Sequence, residues 1–185
     1  MASAVLSIGS PLPSFPALPA ADGTTCSSAD LAGSTAVVIV FSCNHCPYVQ
    51  AYEERMIAFQ SAFGPKGVRL VAINANETTN YPEDNFAEMV RRAKKRAFNF
   101  TYLRDEDQSV ADAFRATHTP EFFVFAPVRG ESGFRLVYHG RMDDNHQNAA
   151  AVREHYLQDA VHAALAGIPP AVPETHSIGC TIKWR

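Results

Sequence analysis

The chain lacks several things, and each shortage removes a class of protein. No apolar run approaches the length of about eighteen residues that a membrane span requires. No positive charge precedes the few apolar residues of MASAVLSIGSPLPSFPALP, and prolines interrupt them early. A secretory leader is therefore not expected, and a cytoplasmic location is. There is no basic excess: 16 Lys and Arg against 19 Asp and Glu leave a net charge of -3, which argues against nucleic acid as a partner. Cysteine is scarce, with only Cys26, Cys43, Cys46 and Cys180 in 185 residues, too few for a small disulfide-stapled scaffold. Charged residues stop at 19% while hydrophobic ones reach 46%, the balance of a folded domain rather than a disordered chain. The length suits one domain and would cramp two. The expected division is an N-terminal extension over 1–34, a core over 35–167 and a C-terminal tail over 168–185.

What the chain does have is a buried-strand signature. Ala36-Val37-Val38-Ile39-Val40-Phe41 is a continuous apolar, mostly β-branched run, the mark of a strand covered on both faces. Pro47 to Phe63 places Val49, Tyr52, Met56, Phe59 and Phe63 at helical spacing, with Pro47 suited to the first turn. Val68–Ile73 reads as a second buried strand, Pro82–Phe98 as a helix opened by Pro-Glu-Asp, and Ser109–Arg115 as a short helix. Glu121–Phe125 and Arg135–His139, with Gly130 and Gly133 between them, read as a hairpin. Val152–Ala166 is a last helix, ended by Gly167. Ahead of these, 1–34 reads as an extended lead-in with a helical turn near Ser28–Leu31. Arg91, Arg92, Lys94, Lys95 and Arg96 read as a solvated helix face. The order β–α–β–α–short α–β–β–α, with no internal repeat, implies an α/β fold: a mixed sheet between helices, with an antiparallel hairpin at its edge.

Cys43-Asn44-His45-Cys46 follows the first strand directly. Spacing alone says little, because four cysteines make six pairs and a separation of three arises by accident about one time in fifteen. Placement says more. A cysteine where a buried strand gives way to a helix meets unpaired N–H groups and the positive end of the helix dipole, which favour a thiolate. On that reasoning Cys43 is the nucleophile, and Cys46, one turn on, attacks the mixed disulfide and releases the partner. A protonated His45 would favour the anionic sulfur further, beside a neutral Asn44; the plainer alternative for His45 is an exposed turn residue. Thr119-Pro120 precedes a strand, where proline is uncommon. A cis bond there would lay the Thr119 main chain beside the cysteines, free to pair with an extended peptide, whereas an ordinary trans proline would only start the strand.

With these features the sequence resembles the thioredoxin superfamily, and within it the peroxiredoxin-like (AhpC/TSA-related) proteins in which a CNHCP motif follows a hydrophobic strand. The segments that carry the resemblance are Phe41–Pro47, Ala72–Asn76, Tyr81–Asp84, Tyr138–Asp144 and Gly179–Trp184. It implies a thioredoxin-like fold, an attacking Cys43, a resolving Cys46 and a cis Pro120. Two departures stand out. Peroxiredoxins carry Pro-x-x-x-Thr/Ser-x-x-Cys, but aligning Cys46 to that cysteine puts Ile39 and Cys43 in the first two places, and aligning Cys43 puts Ala36 and Val40 there. Thioredoxins hold a buried acid six residues before the first cysteine, where this chain has Val37; a base for Cys46 must come from elsewhere, with Glu77, Glu121 and His45 as candidates.

Cys180 is either a third redox thiol or a buried, inert cysteine, and Cys26 has less to recommend it. His139, Asp143, Asp144 and His146 lack a recognisable ligand spacing and read as a polar turn, and the pair with His45 falls short of a tetrahedral zinc set, so neither a metal nor a cofactor is expected. The function this favours is thiol–disulfide exchange with protein or small-molecule thiols and disulfides, fed by an unidentified electron donor. A thiol-dependent peroxidase of antioxidant type, or a redox sensor or metal-binding module, are the alternatives.

Overall fold

The computed structural model describes residues 5–185; the first four residues of the expected lead-in lie outside the described residues. Short strands β1 (Leu18–Pro19) and β2 (Thr25–Cys26) pair with each other, and a 3-10 turn at Ser28–Leu31 leads to β3 (Ala36–Phe41). Then come α1 (Pro47–Phe63), β4 (Val68–Asn74), α2 (Phe86–Arg96), β5 (Thr101–Arg104) and α3 (Ser109–Phe114). The chain continues through β6 (His118–Thr119), β7 (Glu121–Pro127), β8 (Phe134–Gly140), α4 (Tyr156–Ala166) and β9 (Cys180–Thr181). The central sheet has the order β5-β4-β3-β7-β8, with β3, β4 and β5 parallel and the β7–β8 hairpin antiparallel. This is the mixed, helix-flanked sheet of a thioredoxin-like fold.

All six residues of β3 are buried because both faces are covered, and the period of two sorts them. Val38 and Val40 join Tyr52, Met56 and Phe59 of α1 and Leu157, Ala160 and Val161 of α4 in one core. Val37, Ile39 and Phe41 belong to the other, with Phe114 of α3, Phe123 and Phe125 of β7, and Phe15 and Leu31 from the chain before β3. There Phe114 meets Phe41, Phe123 and Phe125 edge-on at 5.3, 5.4 and 5.9 Å. Phe15, Leu18 and Leu31 are buried, so the N-terminal segment is a wall of this second core and more than a lead-in.

Local chemistry moves two helix starts. Pro82–Asp84 forms a 3-10 turn and α2 begins at Phe86, because Asn85 caps it by accepting the Glu88 N–H at 2.9 Å. The last helix begins at Tyr156 rather than Val152: Ala149–Ala151 makes its own turn, and Asp144 Oδ1 holds the Arg153 N–H at 2.9 Å. Strand β5 is an addition to the expected order; its four residues are too short for periodicity to reveal. The basic cluster on α2 is also more than solvated surface. Arg92 binds the buried Glu53 of α1 through two bonds, at 2.5 and 2.8 Å, and Arg96 reaches the same carboxylate at 3.2 Å. Among the described residues no helix is long and apolar enough to cross a membrane.

Candidate active site: three thiols at the start of a helix

Strand β3 ends beside β4, where the Ser42 N–H donates to the Ile73 carbonyl, and the chain then turns through Cys43, Asn44 and His45. Helix α1 starts at Pro47, and the residue that caps it is Cys46. The place at the helix end expected for Cys43 therefore belongs to Cys46. Proline accounts for this: it fits the first helical position and lacks the N–H that would extend the helix backward.

The protonation order is reversed accordingly. The Cys46 sulfur has the Cys43 thiol, the Cys180 thiol and the Val49 and Cys180 main-chain N–H groups close enough to stabilise its anion, Cys43 most strongly. These outweigh burial and pull its pKa down to about 4. The bond to Cys46, burial and the nearby Asp84 carboxylate together hold the Cys43 thiol well above its ordinary value. The two shifts point the same way, favouring the negative charge at Cys46 over Cys43. Neither sulfur is open: Cys43 is 1% and Cys46 0% exposed.

Thr119 closes the site from the other side. Its peptide bond to Pro120 is cis, its hydroxyl lies 3.6 Å from Cys43 Sγ, and its carbonyl oxygen lies 3.3 Å from Cys46 Sγ. The free edge expected here is taken. Strand β9 pairs antiparallel with β6, matching Cys180 to Thr119, and this places Cys180 Sγ 2.8 Å from Cys46 Sγ. The tail is firmly held. Ile182 is buried and donates its N–H to the Thr117 carbonyl, Asn76 Oδ1 accepts the Lys183 N–H, and Gln108 Nε2 donates to the Lys183 carbonyl.

The residues between the cysteines are tethered rather than loose. Asn44 is buried, accepting from Tyr102 OH at 2.8 Å and donating to the Glu83 carbonyl at 2.9 Å. His45 is not a free turn residue: Nδ1 lies 2.5 Å from Asp84 Oδ2, and its ring stacks on Tyr81. The three candidate bases are engaged elsewhere. Glu77 accepts the Thr79 and Asn80 N–H groups, Glu121 pairs with His139, and His45 is held by Asp84. Asp84, fully buried beside Cys43, was overlooked because Pro82-Glu83-Asp84 reads equally well as the acidic opening of a helix.

Cys43, His45 and Asp84 bring one ligand atom each to within 4.8 Å of one another, three of the four donors that a closed tetrahedral site takes. The other polar cluster is used internally, since Asp143 binds Arg55 at 2.8 Å and Tyr52 OH at 2.9 Å, while His139 binds Glu121. Cys26 lies in the second core, away from this group.

The chain is similar to several proteins of known structure. An uncharacterized conserved protein from Geobacillus kaustophilus is 36% identical, with 97% of this chain and 93% of that chain covered at a TM-score of 0.87. A hypothetical protein from Sinorhizobium meliloti 1021 is 34% identical, with 98% and 97% covered at 0.88. A protein from Chlorobium tepidum described as a putative thiol:disulfide interchange protein DsbE is 20% identical, with 86% and 99% covered at 0.66, and so shares the fold. No curated protein matches. The AhpC/TSA family model matches residues 8–133, which runs from the N-terminal core wall through the cysteine pair and Thr119 to the hairpin turn. With most of the chain matched and its thiols gathered at one helix start, the protein belongs to the AhpC/TSA family and to its thiol-based redox chemistry.

Proposed function

We propose that the protein is a thiol–disulfide oxidoreductase that exchanges disulfides with protein or small-molecule thiols through Cys43 and Cys46. The observation that carries this reading is the placement of both sulfurs at the capped start of α1, against the cis Thr119-Pro120 bond. Cys43 gives up its proton as it attacks a partner disulfide, and the partner sulfur that leaves takes that proton up. Cys46 then attacks Cys43 Sγ, closes the Cys43–Cys46 disulfide and releases the second partner sulfur. A lowered Cys46 pKa favours the reduced form, so the couple is expected to be oxidising and to run these steps in reverse, taking electrons from partner dithiols.

The test is the reduction potential of the couple, measured with turnover of a model protein disulfide. The expected value lies nearer about -120 mV than about -270 mV, and Cys43→Ser should abolish turnover. Undiminished turnover in Cys43→Ser would remove Cys43 from the attacking role.

A second reading, peroxide reduction at Cys46, is favoured by one observation. The groups around the Cys46 sulfur hold its pKa down to about 4, favouring the thiolate that would attack peroxide, while the Thr119 hydroxyl lies on the Cys43 side, 3.6 Å from Cys43 Sγ. Hydrogen peroxide consumption that survives Cys43→Ser but not Cys46→Ser would select this reading over disulfide exchange.

A further inference from the structure

Two buried sulfurs make a chemically apt pair with a problem of access. A thiol from outside must reach a disulfide sulfur along the S–S axis, and neither Cys43 nor Cys46 presents a surface for this. The third sulfur differs. Cys180 is half-buried, packs against the pair, and sits on a strand anchored at both ends. Its backbone occupies the edge of Thr119 on which an extended substrate peptide would add as a strand. Gly179 makes this close seating workable, since a Cβ there would lie 2.1 Å from the Thr119 carbonyl oxygen.

We propose that Cys180 is a third redox thiol that carries the disulfide from the buried pair to the surface, its strand taking the place of a substrate peptide. The proposal rests on the reading of Cys43 and Cys46 as a redox couple. In the step, the Cys180 thiolate attacks Cys46 Sγ of the Cys43–Cys46 disulfide. The Cys46–Cys180 bond forms, the Cys43–Cys46 bond breaks, and Cys43 leaves as a thiolate. An external thiolate then attacks Cys180 Sγ and frees Cys46. A second external thiol resolves that mixed disulfide, so two external thiols are oxidised and one protein disulfide is reduced. The charges around Cys180 follow this cycle. After burial, what holds its pKa up to about 11 is its hydrogen bond to Cys46 and the charge there, while Lys183 pulls it down. Oxidation of Cys46 removes that charge and leaves Lys183, so Cys180 ionises more readily once there is a disulfide for it to attack.

The experiment uses the full chain. Cys43→Ser protein is oxidised with oxidised glutathione and digested without reductant, and its linked peptides are identified by mass spectrometry. The expected product is a Cys46–Cys180 crosslink, absent from the Cys43→Ser/Cys180→Ser double variant. In wild type with Cys43 present, reduction of the oxidised protein by glutathione should be at least about tenfold faster than in Cys180→Ser, since the tethered thiol has a high effective concentration. Gly179→Ala, which keeps all three thiols and displaces the strand, should slow reduction in the same way. No Cys46–Cys180 crosslink in Cys43→Ser, or Cys180→Ser and Gly179→Ala both reduced at the wild-type rate, would overturn the proposal and leave the Cys43–Cys46 couple intact. Failure of oxidised wild type to form any Cys43–Cys46 disulfide would instead overturn the couple itself, and the relay with it.

Discussion

His45 Nδ1 lies 2.5 Å from Oδ2 of Asp84, a carboxylate with no exposed surface. The same carboxylate accepts the Asn44 N–H at 2.6 Å on Oδ1 and Asn76 Nδ2 at 2.9 Å on Oδ2. One acid thus ties the loop between the cysteines to the end of β4, and its charge opposes ionisation of Cys43. Asp84→Asn replaces one acceptor oxygen with a donor that faces other donors. It should cost about 1–3 kcal/mol of stability, read by urea denaturation. It should also let Cys43 ionise at lower pH, read as the pH profile of Cys43 alkylation. A profile identical to wild type would leave Asp84 with a structural role only.

The reversed protonation order makes the stability of the reduced protein depend on pH in a definite direction. Cys46 is depressed to about 4 in the fold against 9.0 unfolded, so between those values the unfolded chain holds the extra proton. Stability therefore rises with pH across that window, is fully present above it, and is lost as pH falls through about 4. Cys43 and Cys180 are both raised, so above 9.0 the folded protein holds the extra protons and stability declines. Denaturation of reduced wild type and Cys46→Ser at a series of pH values should show the rising limb in the first and a flatter curve in the second. Parallel curves would contradict a Cys46 thiolate.

Much of the fold was legible because its signals are short-range. The run Ala36–Phe41 announced a strand buried on both faces, and α1 runs over Pro47–Phe63 as its apolar spacing and opening Pro47 indicated. The four residues of β5 were hidden because they belong to the sheet only through pairing with β4. The sequence offered a pair of cysteines with Thr119-Pro120 and left Cys180 open between a third redox thiol and an inert one. Cys180 is 134 residues from Cys46 along the chain, and what joins them is a two-residue strand pairing that no local pattern encodes. Asp84 was missed for a related reason: its partners are Asn44, His45 and Asn76, contacts that exist only once β4 lies beside β3.

The pairing of α1 with α2 through Glu53 should respond asymmetrically to mutation. Glu53 is buried, whereas Arg92 and Arg96 keep partial access to water, with side chains 24% and 35% exposed. Removing Arg92 strands a buried carboxylate with only Arg96 at 3.2 Å, and should cost about 2–4 kcal/mol. Glu53→Gln leaves two arginines that can turn to solvent, and should cost less. Denaturant midpoints of Arg92→Met and Glu53→Gln measured side by side check the order; equal losses would mean the pair is solvated like an ordinary surface bridge.

Glu121 sets the position of Thr119 without touching a sulfur. Its Oε2 accepts the Thr117 N–H at 2.7 Å and the His118 N–H at 3.0 Å, while Oε1 meets His139 Nε2 at 2.7 Å. Those two N–H groups belong to the loop that presents Thr119 to both cysteines and pairs with Cys180. Glu121→Gln has one carbonyl oxygen for these donors, so either the loop or His139 loses its partner, at about 1–3 kcal/mol. If the loop loses it, the Thr119 carbonyl shifts away from Cys46 and β9 loosens. Faster amide hydrogen exchange at Ile182, whose N–H donates to the Thr117 carbonyl, should then accompany the lost stability. Protection at Ile182 equal to wild type would place the whole cost on His139 and separate Glu121 from the thiol site.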